Sequence, residues 1–323
     1  MKAGPSRTNR PDNTAFTQQR LPAWQPILSA GIVIPGFTLI GLAFIGVGVA
    51  LFVTSQKITD LEVRGKRDTH AVLFFFQGPV FFYYGLTSYY QNFRTYGVSK
   101  DGYQLSGDTY YFNVRAWYSC APYQYDSNNN PIVPCGSIAN SMFSDTFQLY
   151  QVVNGMKKQV PLDGKGIAWW TDYNIKYSNP ALVNGSFANA FSGTVKPVNW
   201  SKPVYELDPT DQANNGFLNQ NFLVWMRQAA LPKFQKLYGR IAEGDYAQGL
   251  PAGNYTLLIN YSYPVISFGG TKKVVLSNVS WMGGKNQFLG IAYLVIGSLC
   301  IVMAMVMLII YAKYKFTDDD EDM

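Results

Sequence analysis

The sequence predicts a membrane protein that crosses the bilayer twice, with one large, mainly antiparallel β domain between the spans. Two segments, Ile27–Val53 and Phe288–Ala312, are apolar and contain no Asp, Glu, Lys, Arg or His. About 20 apolar residues cross the hydrocarbon core, so both segments can span it with some tilt. The residues between them carry aromatic runs separated by Gly, Asn, Asp and Pro, a composition typical of strands joined by turns. The predicted parts are a tail (1–26), a span (27–53), a domain (54–287), a span (288–312) and a tail (313–323).

The spans fit a membrane better than the two alternatives. A cleaved signal peptide would begin nearer the start of the chain and would be shorter. A helix buried in a soluble core rarely reaches this length without one charged residue. An integral membrane protein is therefore the prediction.

Charge predicts that both tails are cytosolic. Basic residues dominate the first tail and directly follow the second span, which suits cytosolic segments under the positive-inside rule. They are Lys2, Arg7, Arg10, Arg20, Lys313 and Lys315. Basic residues also follow the first span, but a large domain translocates largely regardless of its charge.

Sequons agree with an exoplasmic domain. Five Asn-x-Ser/Thr triplets begin at Asn184, Asn199, Asn254, Asn260 and Asn278. The first four are the glycosylation candidates, since Asn278 lies close to the second span. Not all are expected to be used, because Asn254 and Asn260 lie in a strand-like run.

Cysteine usage points the same way. Cys120 and Cys135 bracket a turn-rich stretch and predict a disulfide, the alternative being two free thiols. Closing a loop of this size stabilises a domain by about 3 kcal/mol. Cys300 lies inside the second span, where it is expected to pack as a small apolar residue. The expected location is the endoplasmic reticulum, Golgi, endosomal or plasma membrane, with the domain luminal or extracellular.

Within the domain, Tyr255–Val265 and Lys273–Trp281 are the clearest strand candidates. The ends of the domain run almost directly into the spans, so its terminal strands should lie near each other. Helical spacing of apolar residues is concentrated in Asn219–Tyr238, with Asn219 or Asn221 as the cap and Pro232 as a kink or end. A shorter helix is expected around Ile138–Leu149.

The sequence predicts a protein without enzymatic activity, catalytic residues, cofactor or metal. His70 is the one histidine and is expected in a solvent-facing loop. The chain has no phosphate-binding loop, Gly-x-Ser-x-Gly elbow or Cys-x-x-Cys pair. Net charge is +6 but dispersed, and nucleic-acid binding is not expected.

Small residues in the spans predict close helix packing rather than an ion path. Gly290, Gly297 and Ala304 are spaced by seven along the second span, and Gly46 and Ala50 are four apart in the first. Whether the small face meets the other span or a foreign helix is left open by the sequence.

Several strings, in order along the chain, closely resemble the accessory β-subunits of phospholipid flippases, the partners of type IV P-type ATPases. They include RPDNTAFTQQRLPAWQPIL (10–28), YYGLTSYYQNFRTY (83–96), PCGSIANSMFSDT (134–146), GIAWWTD (166–172), NNGFLNQNFLVWMRQAALPKFQKLYG (214–239), LPAGNY (250–255) and SWMGGKNQFLGIAY (280–293). The resemblance runs from about residue 10 to the end of the second span. Lys57–Gln77 departs from it, because many members have a longer segment with extra cysteines there.

The resemblance implies a non-catalytic, glycosylated subunit whose exoplasmic domain is an antiparallel β-sandwich with helical insertions. Members bind the pump, allow it to leave the endoplasmic reticulum and support its ATP-driven movement of aminophospholipids to the cytosolic leaflet. The Cys120–Cys135 pair matches the family's disulfide. The Asp-Lys-Thr-Gly motif of the pump is absent from this chain.

Two segments are candidates for contact with that partner and with membrane lipids. The first is the tail before the first span, with Arg20, Leu21, Pro22 and Trp24, which is expected to run along the pump's cytosolic surface. The second is the junction before the second span, with Trp281, Gly283, Gly284, Lys285 and Asn286; it contacts exoplasmic loops of the pump or shapes the junction.

Two other functions compete with this one. An independent adhesion or receptor-like membrane protein would use the aromatic domain to bind an extracellular ligand. An ectoenzyme would need a carboxylate or His70 as its catalytic group and is the weakest of the three.

Overall fold

The computed structural model describes residues 12–22, 29–63, 68–72, 76–113 and 118–321. The chain forms two compact units, one of Met1–Val53 with Asn286–Met323 and one of Thr54–Lys285. The helices are α1 (Ala30–Gln56), α2 (Arg94–Gly97), α3 (Gly102–Leu105), α4 (Tyr110–Asn113), α5 (Ser137–Asn140), α6 (Phe187–Ala190), α7 (Gln220–Met226) and α8 (Phe288–Glu321). The strands are β1 (Asp60–Val63), β2 (Asp68–Val72), β3 (Phe76–Gln77), β4 (Val80–Leu86), β5 (Thr146–Val153), β6 (Met156–Val160), β7 (Phe234–Ile241), β8 (Gly249–Leu250), β9 (Gly253–Asn260) and β10 (Lys272–Asn278).

Both predicted spans are helices. Ala30–Gln56 and Phe288–Tyr314 are each long and apolar enough to cross a membrane. Isoleucine 27 and leucine 28 fall outside the described residues, and the second helix continues past the apolar stretch to Glu321. The chain is therefore an integral membrane protein with two helical spans.

The two spans pack against each other through glycines spaced by seven. A Cβ at Gly297 would lie 2.9 Å from the Gly41 carbonyl oxygen, and one at Gly48 would lie 3.2 Å from the Gly290 carbonyl oxygen. A repeat of seven keeps the same residues at the seam of two crossing helices, and small residues there let backbones approach closely. The predicted small face of the second span therefore meets the first span.

In the first span, the two small residues singled out from the sequence do not face the second span. Gly46 has nothing within 4 Å of its Cβ position, and Ala50 is exposed. A spacing of four puts Gly46 and Ala50 on one face of the helix. The face that packs against the second span instead carries Gly41 and Gly48, which are seven apart. Ala304, the third small residue of the second span, is buried as expected.

The second unit is built on two four-stranded antiparallel sheets, ordered β1-β10-β4-β7 and β2-β9-β5-β6, with β3 and β8 as a separate pair. Their inner faces pack together: the rings of Phe82 in β4 and Phe147 in β5 lie 5.1 Å apart, and Tyr238 contacts both. This is the expected β-sandwich-like domain with helical insertions. β1 pairs with β10, which confirms that the terminal strands are neighbours.

The two predicted strands are present as β9 and β10, but β9 ends at Asn260 and β10 at Asn278, before the predicted limits. After β9 the chain turns, and the Asp145 Oδ1 atom accepts hydrogen bonds from the backbone amides of Ser262 at 2.7 Å and Tyr263 at 2.6 Å. This contact ends the strand before Val265, the predicted limit.

The predicted helix over Asn219–Tyr238 is correct only at its start. Asn219 caps α7, its Oδ1 accepting from the Phe222 amide at 3.1 Å. The helix ends at Met226, and the residues from Phe234 onwards form β7, paired with β4. The Lys236 Nζ atom donates to the carbonyls of Val224 at 2.9 Å and Trp225 at 2.7 Å. This long-range contact satisfies carbonyls that a continuing helix would have bonded.

The helix expected around Ile138–Leu149 is short, because α5 ends at Asn140 and β5 begins at Thr146. Two buried indoles bind the carbonyls of this helix: Trp225 donates to Ile138 at 2.8 Å and Trp200 to Ala139 at 2.7 Å. The tryptophans thus fix α5 against α7 in the aromatic core.

The predicted disulfide is present, joining Cys120 and Cys135 with their Cα atoms 5.6 Å apart. Both cysteines are buried, and Cys300 is a free, half-buried thiol in α8. The loop expected around His70 is instead β2, where His70 lies opposite Tyr255 of β9.

Candidate partner-binding surfaces

The segment Trp281–Lys285 begins with a tight turn that presents an exposed indole. The amides and carbonyls of Ser280 and Gly283 bond each other reciprocally at 2.9 Å, and Trp281 between them is 80% exposed. Gly283 has a φ of +100° and nothing within 4 Å of its Cβ position. Glycine is therefore required here by backbone conformation rather than by lack of space.

The rest of this predicted site is anchored differently. The Lys285 Nζ atom lies 2.7 Å from Asp60 Oδ1, which ties the end of the turn to β1. Gly284 has open space around its Cβ position and no unusual φ. Asn286 belongs to the other unit, where its Oδ1 accepts from the Phe288 amide at 3.0 Å and caps α8.

The predicted site in the first tail is described in part. Arg20, Leu21 and Pro22 are exposed, with Arg20 donating to the Asn13 side chain. Trp24 lies outside the described residues. This group of residues and the Trp281 turn belong to different units of the chain.

A further surface was not singled out by sequence reasoning. Trp169 is 62% and Trp170 67% exposed, and the guanidinium carbon of Arg227 lies 4.1 Å from the centre of the Trp169 ring. Asp172 lies beneath them, 5% exposed. Its Oδ2 binds Arg227 at 2.9 Å and its Oδ1 binds Lys176 at 2.8 Å. We call these five residues the Trp–Arg surface.

The two cations of the Trp–Arg surface are ion-paired, and the surface carries net positive charge. One buried carboxylate orients two cations that both reach solvent, and a π-helical turn over Asp172–Lys176 carries the carboxylate. Lys100 adds to the charge; its pKa is lowered by desolvation and then by repulsion from Lys176. Exposed Trp and Arg held in fixed geometry are the residues that dominate binding energy at protein interfaces.

Lys236 supports this surface from inside. Besides the carbonyls of Val224 and Trp225 it binds that of Arg227, and its Nζ lies 5.0 Å from the centre of the Trp225 ring. Burial lowers the pKa of Lys236 to about 7. Because it binds the Arg227 carbonyl, the lysine holds the backbone that carries the arginine. A cavity of about 330 Å³ is lined by Trp169, Arg227 and Lys236 among others.

Another cavity, of about 260 Å³, is lined among others by Tyr84, Asn199 and Trp225 and shows no catalytic arrangement of its described side chains. Its carboxylate, Asp145, is buried and paired with Lys272 at 2.5 Å. Within the described part of the chain, no group of three or more His, Cys, Asp or Glu side chains is arranged to hold a metal ion.

Comparison with known proteins decides the family. The model of the LEM3 (ligand-effect modulator 3) family / CDC50 family matches residues 69–317. The chain belongs to the CDC50 family. This is the family of flippase β-subunits, and the resemblance predicted from the strings above is thereby confirmed.

Individual CDC50 relatives match along almost the whole chain. Cell cycle control protein 50B of Homo sapiens is 52% identical over 97% of each protein. Cell cycle control protein 50A of Rattus norvegicus is 51% identical over 99% of this chain and 93% of the relative. ALA-interacting subunit 3 of Arabidopsis thaliana is 35% identical over 96% of this chain and 88% of the relative. Membership of the family supports the role of an accessory subunit.

Proposed function

We propose that this CDC50 protein is a non-catalytic subunit of a phospholipid-translocating P-type ATPase. It is required for exit of the pump from the endoplasmic reticulum and for flipping of aminophospholipids to the cytosolic leaflet. The observation that carries the proposal is the family match over residues 69–317, in a chain with two membrane helices.

In this proposal the unit Thr54–Lys285 is exoplasmic and both termini are cytosolic. The disulfide supports that side of the membrane, because disulfides persist in the secretory pathway and not in the cytosol. Basic residues in the tails support it as well.

We assign exoplasmic contact with the pump to the Trp–Arg surface and to the Trp281 turn. Arg227 and Lys176 favour an acidic loop of the pump, and the exposed indoles of Trp169 and Trp281 supply apolar area. Arg20, Leu21, Pro22 and Trp24 are assigned to the cytosolic side of the same partner.

Affinity purification of the tagged full chain in mild detergent tests the proposal. We expect a P-type ATPase to co-purify, with hydrolysis stimulated by phosphatidylserine and not by phosphatidylcholine. Without this chain the pump should keep glycans or a location typical of the endoplasmic reticulum. A clean preparation with no such ATPase, from cells in which the chain reaches its final membrane, would favour the adhesion or receptor-like alternative.

A further inference from the structure

The outer face of the sheet β2-β9-β5-β6 carries two sequons on one strand. In β9 the side chains of Tyr255 and Leu257 are buried against the core, while Asn254 and Asn260 are exposed. Successive side chains of a strand point to opposite faces, so residues six apart share a face and lie about 20 Å from each other. The two asparagines thus mark the two ends of one exposed sheet face.

The surface between them is partly apolar. Leu258 is 55% exposed and lies opposite Gln148 of β5, and Tyr150 lies opposite Thr256. The Tyr150 hydroxyl donates to the Gln148 Oε1 atom at 2.9 Å. We call the surface formed by Gln148, Tyr150, Asn254, Leu258 and Asn260 the outer face.

The fifth sequon differs from these two. Asn278 is half-buried, and its Oδ1 accepts a hydrogen bond from the Thr59 amide at 2.8 Å. Its side chain is part of the junction between β10 and the start of β1. A sequon in a strand can therefore be accessible or not. Its accessibility depends on the face of the sheet to which the asparagine side chain points.

We propose that Asn254 and Asn260 both carry N-linked glycans and that these two oligosaccharides cover the outer face. The pump then binds the domain elsewhere. The inference rests on the proposed function in one respect, namely that this domain is exoplasmic.

The first experiment counts glycans on the full chain expressed in cells. Asn254→Gln and Asn260→Gln should each remove one glycosidase-sensitive increment of mass, and the double variant should remove two. Thr256→Ser preserves the first sequon and should keep its glycan. The assignment is overturned if neither asparagine variant loses mass and the other sequons account for all of the glycan.

The second experiment asks whether the outer face is free of the pump. Met156→Thr creates a sequon at Asn154, in the exposed turn between β5 and β6 of the same sheet, where Met156 is 73% exposed. The proposal expects this added glycan, confirmed by its mass, to change recovery of the ATPase less than twofold. A tenfold loss from a normally folded, glycosylated variant would overturn it.

Failure of the inference and failure of the proposed function are distinguishable. If none of the five sequons is modified, the covered outer face is overturned, and co-purification of the ATPase decides the proposed function separately. If Asn184 or Asn199 is modified and Asn254 and Asn260 are not, the exoplasmic placement stands and only the covered outer face is overturned.

Discussion

The outer face and the Trp–Arg surface belong to the same domain but are built in opposite ways. The outer face is a regular strand surface whose exposed residues follow from alternation in β9 and β5. The Trp–Arg surface is irregular backbone, fixed by the buried Asp172 and by the Lys236 side chain. The first offers attachment points at its ends, and the second offers two indoles and two oriented cations.

Under the proposed function, this difference locates the energy of binding to the pump on the Trp–Arg surface. Trp and Arg side chains held by stacking and by ion pairs lose little entropy on association, whereas a face covered by the proposed oligosaccharides would exclude a second protein.

A glycan placed on the Trp–Arg surface should block the pump. Lys176→Thr creates a sequon at the exposed Asn174, and recovery of the ATPase should fall at least tenfold because an oligosaccharide cannot fit a protein interface. Lys176→Ala, which removes the charge alone, should cost much less. Equal losses in the two variants would show that charge, not access, is responsible.

Truncating the stacked pair should weaken the complex without a glycan. Trp169→Ala and Arg227→Ala should each cost about 2 kcal/mol of binding free energy, as interface hot spots do. A double-mutant cycle should give a coupling of about 1 kcal/mol for the cation–π contact. Lys158→Ala is the control, since Lys158 is an exposed cation of β6 paired with Asp245. An equal loss in the control would contradict the assignment.

Lys236 makes the stability of this region depend on pH. Its pKa is about 7 in the folded protein, below the usual lysine value of 10.5, because burial disfavours the charge. Between these values the unfolded chain binds the extra proton, so the free energy of unfolding rises with pH by up to about 1.4 kcal/mol per unit. Below pH 7 this contribution is absent.

Thermal unfolding of the full chain in detergent from pH 6 to pH 9 measures that slope. Lys236→Met removes the titrating group, so the difference in unfolding free energy between wild type and variant should grow above pH 7. A constant difference over the range would show that Lys236 keeps its proton throughout, and the three carbonyls would then hold it as an ammonium.

The smallest effect is expected at the Trp281 turn. Gly283→Ala should cost about 1 kcal/mol, since its φ of +100° is unfavourable for any residue with a Cβ. Gly284→Ala is the matched control, because space is open there and its backbone carries no such φ. Chemical denaturation of both variants checks the difference, and similar values would mean that the turn relaxes.

The membrane helices, β9 and β10 could be predicted because their patterns are local. Apolar runs without charge identify the spans, and alternation identifies the strands. β7 could not be predicted, because the helical spacing of apolar residues that begins at Asn219 continues past Met226, where the helix ends. Lys236 binds the carbonyl groups at that end. The end of the helix thus depends on a side chain of β7, a strand that is itself held by pairing with β4.

The Trp–Arg surface could not be predicted for a similar reason. Asp172 and Arg227 are separated by 55 positions in the chain and meet only in the folded domain. The adjacent tryptophans in GIAWWTD were visible in the sequence, but aromatic pairs are more often core residues. In the first span, the residues that pack against the second span were not identified from the sequence. They are Gly41 and Gly48, which are seven apart, whereas the sequence reasoning singled out residues four apart.

The strand order also dictates when the domain is complete during synthesis. β10 lies between β1 and β4, and β9 lies between β2 and β5, so each sheet receives a late strand into its interior. Until Asn260 has been made β2 is not joined to β5, and until Asn278 has been made β1 is not joined to β4. Unpaired strand edges are surfaces that attract chaperones and aggregate. The interiors of both sheets are therefore completed only when the last two strands of the domain, β9 and β10, have been synthesised.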